Sequence, residues 1–209
     1  MDSATHCLPT EGLGVCFAGA LFTGGHSRRM GSDKGLLTIN GISLLQHQCA
    51  TLRRAGISEL ILSTRRDSPV VISGTKTVLD ARENIGPIAG IAATLEATSC
   101  PVVFMLAVDM PRITSKTIQY ILSLSNEDRG CVPNVHGRHE PLAAAYPRSL
   151  LPLVQNQIAA GRHALRNLIE EAIAAGRMTS LEIEDADAGH FLNCNHPGEW
   201  QAFLDRQTF

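Results

Sequence analysis

Apolar positions along this chain follow two rhythms that alternate. Val15 to Phe22 and Val102 to Val108 are apolar on both faces, as strands in the middle of a parallel sheet must be when helices cover both sides. Shorter runs at Glu59 to Ser63 and Lys76 to Leu79 predict two further strands. Between them the spacing is helical. Ser43 can cap a helix running to about Ala55, with Leu44, Leu45, Cys49 and Leu52 on one side and Gly56 as its stop. A second helix is expected from Pro87, where proline costs no hydrogen bond in the first turn, through Leu95, and Thr114 can cap a third through Leu124. Strands alternating with helices imply an α/β fold with a mostly parallel central sheet and helices on both faces.

From Arg129 the alternation loosens. Cys131 to Pro133 and Leu142 to Tyr146 read as strands separated by the polar turn His136-Gly137-Arg138-His139, which suggests a mixed or antiparallel edge. Helices are expected over Pro147 to Ala160 and Ala164 to Ala175, a late strand over Ser180 to Ile183, and a last helix from Pro197 to the terminus around Trp200 and Phe203. Residues 1–13 mix Pro, Glu, Gly, Ser and Thr without a period and read as a flexible lead-in. No repeat or linker divides the remainder, so residues 14–209 are expected to form one domain, with a first half to about 125 and a second from about 126.

Composition narrows the partners. At 209 residues and 44% hydrophobic content, one domain can bury a sizeable core, while a net charge of −2 gives no surface for nucleic acid. Aromatic residues, at 4%, are too few to stack bases. The longest apolar run, Val102 to Val108, is too short for a bilayer, and acidic Asp2 with no apolar stretch behind it is unlike a secretory signal, so no membrane is expected and a reduced cytoplasm is the default. Six scattered cysteines contain no Cys-x-x-Cys pair, and neither a zinc site nor a disulfide framework is expected.

The chemistry concentrates behind the first strand, in Phe22-Thr23-Gly24-Gly25-His26-Ser27-Arg28-Arg29-Met30-Gly31-Ser32-Asp33-Lys34. Glycines let backbone N–H groups approach an anion closely, and arginine forks and a mobile lysine add full charges around such a cradle. A strand ending in this loop reads as a phosphate site. It is neither a P-loop, because Lys34 is displaced from Gly31, nor a dinucleotide fingerprint.

In an open α/β sheet ligands bind outside the carboxyl ends of the strands, where Asp80 and Asp109 also stand. Asp109 ends the most apolar strand and, beside a phosphate loop, is the expected Mg²⁺ ligand, since Mg²⁺ takes one or two carboxylates plus phosphate oxygens. Asp109-Met110-Pro111 also fits a plain turn, and Asp80 also fits a salt bridge to Arg82 or a strand-end cap. His136 and His139 read as a solvated turn.

These motifs resemble those of the molybdenum cofactor guanylyltransferases. The glycine stretch is similar to their Leu-Ala-Gly-Gly-x-Ser-x-Arg-Met-Gly-x-Asp-Lys signature, with Phe22 and Thr23 in place of leucine and alanine. Gly86-Pro87-Ile88-Ala89-Gly90, Asp109-Met110-Pro111 and Glu140-Pro141-Leu142 resemble further family segments. So does Phe191-Leu192-Asn193-Cys194-Asn195-His196-Pro197, in which His196 replaces the usual threonine.

The resemblance implies a three-layer Rossmann-like nucleotidyltransferase fold whose first half binds nucleotide and second half binds acceptor. It implies that Phe22, Thr23, Gly24 and Gly25 line the guanine nucleotide and that Lys34 contacts its phosphates. Ser63, where asparagine is common, and Asp80 would lie near the nucleotide, Asp109 would hold nucleotide and Mg²⁺, and Asn193 and Asn195 would face the pterin. Arg29 would join Lys34 and Asp109 as a catalytic group, neutralising the departing phosphates.

The implied partners are GTP, molybdopterin and, transiently, the enzymes or chaperones that accept the cofactor. A cytidylyltransferase of the same pathway, a guanylyl- or uridylyltransferase for another phosphorylated acceptor, and a non-catalytic nucleotide-binding delivery protein remain the alternatives.

Overall fold

Strand β1 (Phe17–Phe22) runs through the middle of a sheet that has eight strands among the described residues, with all but its first residue buried, as its two apolar faces require. The computed structural model describes residues 16–23, 37–39, 41–64, 71–79, 85–194 and 197–205. After β1, the short strands β2 (Thr38–Ile39) and β3 (Ile42–Ser43) pair as a separate antiparallel hairpin that leads into helix α1 (Leu44–Arg54). Ser43 closes a capping box: its Oγ accepts from Gln46 N, and Gln46 Oε1 accepts from Ser43 N.

Strands β4 (Glu59–Thr64) and β5 (Lys76–Leu79) follow, then helix α2 (Pro87–Ala97), strand β6 (Val102–Ala107) and helix α3 (Ser115–Ser123), the last capped by Thr114 Oγ1 on Thr117 N. The second half contains β7 (Gly130–Val135), β8 (Arg138–His139), β9 (Ala143–Pro147), α4 (Leu151–Ala159), α5 (Leu165–Ala174), β10 (Met178–Glu182) and α6 (Pro197–Asp205).

The sheet order is β10-β7-β9-β6-β1-β4-β5, with β8 on β7. From β5 to β6 all neighbours are parallel, whereas β9 pairs antiparallel with both β6 and β7, giving the mixed edge that the looser sequence pattern suggested. One apolar layer joins α1, α3 and α6 to the sheet through Leu44, Leu52, Ile118, Trp200 and Phe203. The other joins α2, α4 and α5 through Ile88, Val154, Leu168 and Ile169. No helix among the described residues is long and apolar enough to cross a membrane.

Three local expectations need correction. Pro147 does not begin a helix: it ends β9 opposite Val102 with extended backbone, and a 3-10 turn at Arg148–Leu150 intervenes before α4, whose early proline is Pro152. The hairpin β2–β3 was not expected, because strands this short carry no periodicity. Cysteine pairing also departs from the sequence reading: Cys16 and Cys100 are joined by a disulfide, 84 residues apart in sequence but adjacent because β1 and β6 start side by side. Cys49, Cys131 and Cys194 are buried thiols outside this disulfide, consistent with small hydrophobes.

Candidate active site

Parallel register places the ends of three strands on one edge. Phe22 of β1 lies between Ser63 of β4 and Ala107 of β6. The chain leaving β1 stays tied to β4, since Thr23 donates to the Ser63 carbonyl from both its N–H, at 3.1 Å, and its hydroxyl, at 3.2 Å. On the other side Val108 N donates to Phe22 O at 3.1 Å, so β6 and β1 remain joined for one residue beyond the strand. Asp109 comes next, half-buried, in the turn that follows β6.

The turn carrying Asp109 is held from several directions. Its carbonyl accepts from Cys194 N at 2.8 Å, which brings the segment containing Asn193 against it. The carbonyl of Met110 accepts from Gln48 Nε2 of α1 at 2.6 Å and from Ile113 N at 3.3 Å. Phe22, Thr23, Ser63, Asp109 and the Asn193 segment are therefore brought together at the carboxyl edge. Gly24, Gly25, Arg29, Lys34, Asp80 and Asn195 lie outside the described residues.

A second carboxylate belongs to this edge that sequence reasoning left without a role. β6 and β9 pair antiparallel with Leu106 opposite Ala143, and Ala107 N continues the ladder to Leu142 O at 2.8 Å. Beyond that pair both chains turn, at residues 108–109 and 141–142, and the charge of Asp109 reaches the carboxyl of Glu140. Its main chain is fixed at both ends, with Glu140 N donating to Pro133 O at 2.9 Å and Glu140 O accepting from Ala143 N at 3.1 Å. Burial pushes the Glu140 carboxyl above its ordinary range; the Arg138 charge opposes that rise and the negative charge of Asp109 adds to it. The signal for Glu140 is its long-range approach to Asp109, which local pattern does not reveal.

Two carboxylates close enough to feel each other's charge suit a hard dication with oxygen ligands, so the donor set fits Mg²⁺. Helix α2 begins beyond β5, with Gly86 at φ +77° turning the chain into Pro87. Its first free N–H groups form the kind of end that accepts an anion. The histidines of the polar turn stay apart from the edge: His136 faces Asp185 at 3.6 Å on the surface, and His139 Nε2 lies 3.1 Å from Ser180 Oγ.

Comparison with known proteins agrees with this geometry. The family model described as "MobA-like NTP transferase domain" matches residues 19–177. A protein of Opitutus terrae named "Probable molybdenum cofactor guanylyltransferase" is 29% identical over 183 residues, covering 86% of this chain and 91% of that one. One of the same name from Pyrococcus horikoshii is 33% identical over 158 residues, covering 73% and 80%. The crystal structure of molybdopterin-guanine dinucleotide biosynthesis protein A from Archaeoglobus fulgidus shares the fold at a TM-score of 0.72 and 20% identity, covering 91% of this chain and 98% of that one. With its family model spanning most of the sheet and both flanking layers, the chain belongs to the MobA-like NTP transferase domain family.

Proposed function

We propose that the protein transfers GMP from GTP to the terminal phosphate of molybdopterin, releasing pyrophosphate and forming a guanine dinucleotide of the cofactor. The observation that carries this reading is the convergence of the end of β1, buried Ser63, Asp109, Glu140 and the Asn193 segment on one edge of the sheet. Relatives similar over most of their length, from Opitutus terrae and Pyrococcus horikoshii, bear the guanylyltransferase name and support the choice of substrates.

The chemistry needs no activated serine, cysteine or histidine, because the acceptor phosphate is already an anionic nucleophile. One of its oxygens attacks the α-phosphorus of GTP as the bond to the β-bridging oxygen breaks, and pyrophosphate leaves in line. The catalytic task is positioning together with neutralisation of charge. Phe22, Thr23, Gly24 and Gly25 would line the nucleotide with main-chain atoms, Ser63 and Asp80 would stand beside it, and Arg29 and Lys34 would hold the departing phosphates. Asn193 and Asn195 would face the pterin.

Asp109, with Glu140 nearby, would hold Mg²⁺, which when bound polarises the α-phosphate and shields it from the incoming anion. The protein would work in the cytoplasm and hand its product to cofactor-accepting enzymes or chaperones. Pyrophosphate release measured with molybdopterin and GTP, CTP or UTP tests the reading. Release with GTP alone supports it, release with CTP alone moves the protein to the cytidylyl branch, and nucleotide binding with no release makes it a delivery protein.

A further inference from the structure

We propose that Gln48, a wholly buried residue of α1, is a positioning residue that fixes the Asp109 turn for nucleotidyl transfer. The proposal rests on the guanylyltransferase reading only for the reaction that the turn serves. Gln48 is 0% exposed, and its Nε2 donates to Met110 O at 2.6 Å, a link between residues 62 apart in sequence. The other end of the same amide is unused: Oε1 is buried with no hydrogen-bond partner among the described residues.

An amide that satisfies one end and orphans the other is a poor choice for stability, because the orphan has lost its water without compensation. Hydrophobic residues fit this face of α1, as Leu45, Cys49 and Leu52 show. The Met110 carbonyl has a second donor in Ile113 N at 3.3 Å, so it would not be left unpaired without Gln48. What the bond adds is a tie between the helix and the turn.

That tie completes a set. Val108 N on Phe22 O fixes the residue before Asp109, Cys194 N fixes its own carbonyl, and Gln48 fixes the residue after it. His47, its neighbour on α1, lines one surface hollow with Pro111, so the same stretch of helix adjoins two successive residues of the turn. Without this hold the turn that carries Asp109 would have one tie fewer to α1, and transfer between two phosphates depends on how that turn is placed.

The Gln48→Met variant keeps length and volume while removing both the donor and the orphaned oxygen. Melting should stay near that of the wild type. Hydrogen exchange of the Asp109–Ile113 peptide should quicken by about tenfold, the equilibrium factor of one ordinary hydrogen bond, while exchange in β1 and β6 is unchanged. With GTP and molybdopterin, kcat should fall by about tenfold or more with KM for GTP little altered. Unchanged exchange, unchanged kcat in an active protein, or a variant that no longer folds each overturns the proposal, the last because the amide would then be held for stability. If the wild type itself releases no pyrophosphate, the functional reading fails, while the exchange result still decides whether Gln48 holds the turn.

Discussion

Replacing Tyr146 with phenylalanine removes one oxygen atom and tests how the segment bearing Glu140 is held. Tyr146 is wholly buried in β9, and its hydroxyl donates to Pro141 O at 2.9 Å, one residue beyond Glu140. Burial pushes the phenol far above its usual range, so it remains a donor throughout the working pH range. The lost hydrogen bond is worth about 1 kcal/mol net, and a carbonyl left sealed from water would add about 1–3 kcal/mol. Pro141 is only half-buried, so water can replace part of the bond and the lower end applies, about 1–2 kcal/mol in total. For a chain of this size that corresponds to a fall in melting temperature of about 2–8 °C. Phenylalanine fills the same space, so no cavity contributes. Scanning calorimetry of both proteins in mildly acidic and mildly alkaline buffer measures the difference. An unchanged melting temperature refutes the role of the hydroxyl, and a difference confined to the acidic buffer refutes its permanent protonation.

Other substitutions probe separate parts of the account. In Gly130→Ala the new Cβ would overlap the Ala145 carbonyl and lie 2.8 Å from Pro147 Cδ, so urea unfolding should show a loss of about 3 kcal/mol; wild-type stability would mean that β7 and β9 separate easily at this point. Burial, aided by the Arg54 charge, lowers the pKa of His47 from 6.5, so its contribution is nil above that value and stability is lost as pH falls below it, where the unfolded chain takes up the proton first. His47→Gln should flatten this acid limb in pH-dependent melts, and an equally steep limb would exclude His47 as its source. Asp109→Asn keeps the shape of the turn but removes its charge, and should cut pyrophosphate release by about a hundredfold or more while GTP binding in EDTA is retained. Near-normal release would remove Asp109 from the mechanism.

How much of this was legible in the sequence depended on whether the signal was local. Ser43, Gly56, Pro87 and Thr114 act on their own helix ends, and each of those ends lies within a residue or two of the expectation. The unbroken apolar faces of β1 and β6 announced the centre of a parallel sheet, and the place of Asp109 just past the end of β6 followed directly. Pro147 misled because proline suits a strand end as well as a helix start, and only the pairing with Val102 distinguishes them. Glu140, Gln48 and the Cys16–Cys100 pair were invisible for a common reason. Each depends on a partner at 109, 110 or 100 that comes near only when the sheet is assembled.

Transfer of a label from the α-phosphate of GTP into molybdopterin tests the central claim most directly. The account predicts labelled molybdopterin guanine dinucleotide and unlabelled pyrophosphate when Mg²⁺ is present, and neither when EDTA removes it. Label remaining on GTP, label appearing as free GMP, or transfer that continues unchanged in EDTA would contradict it.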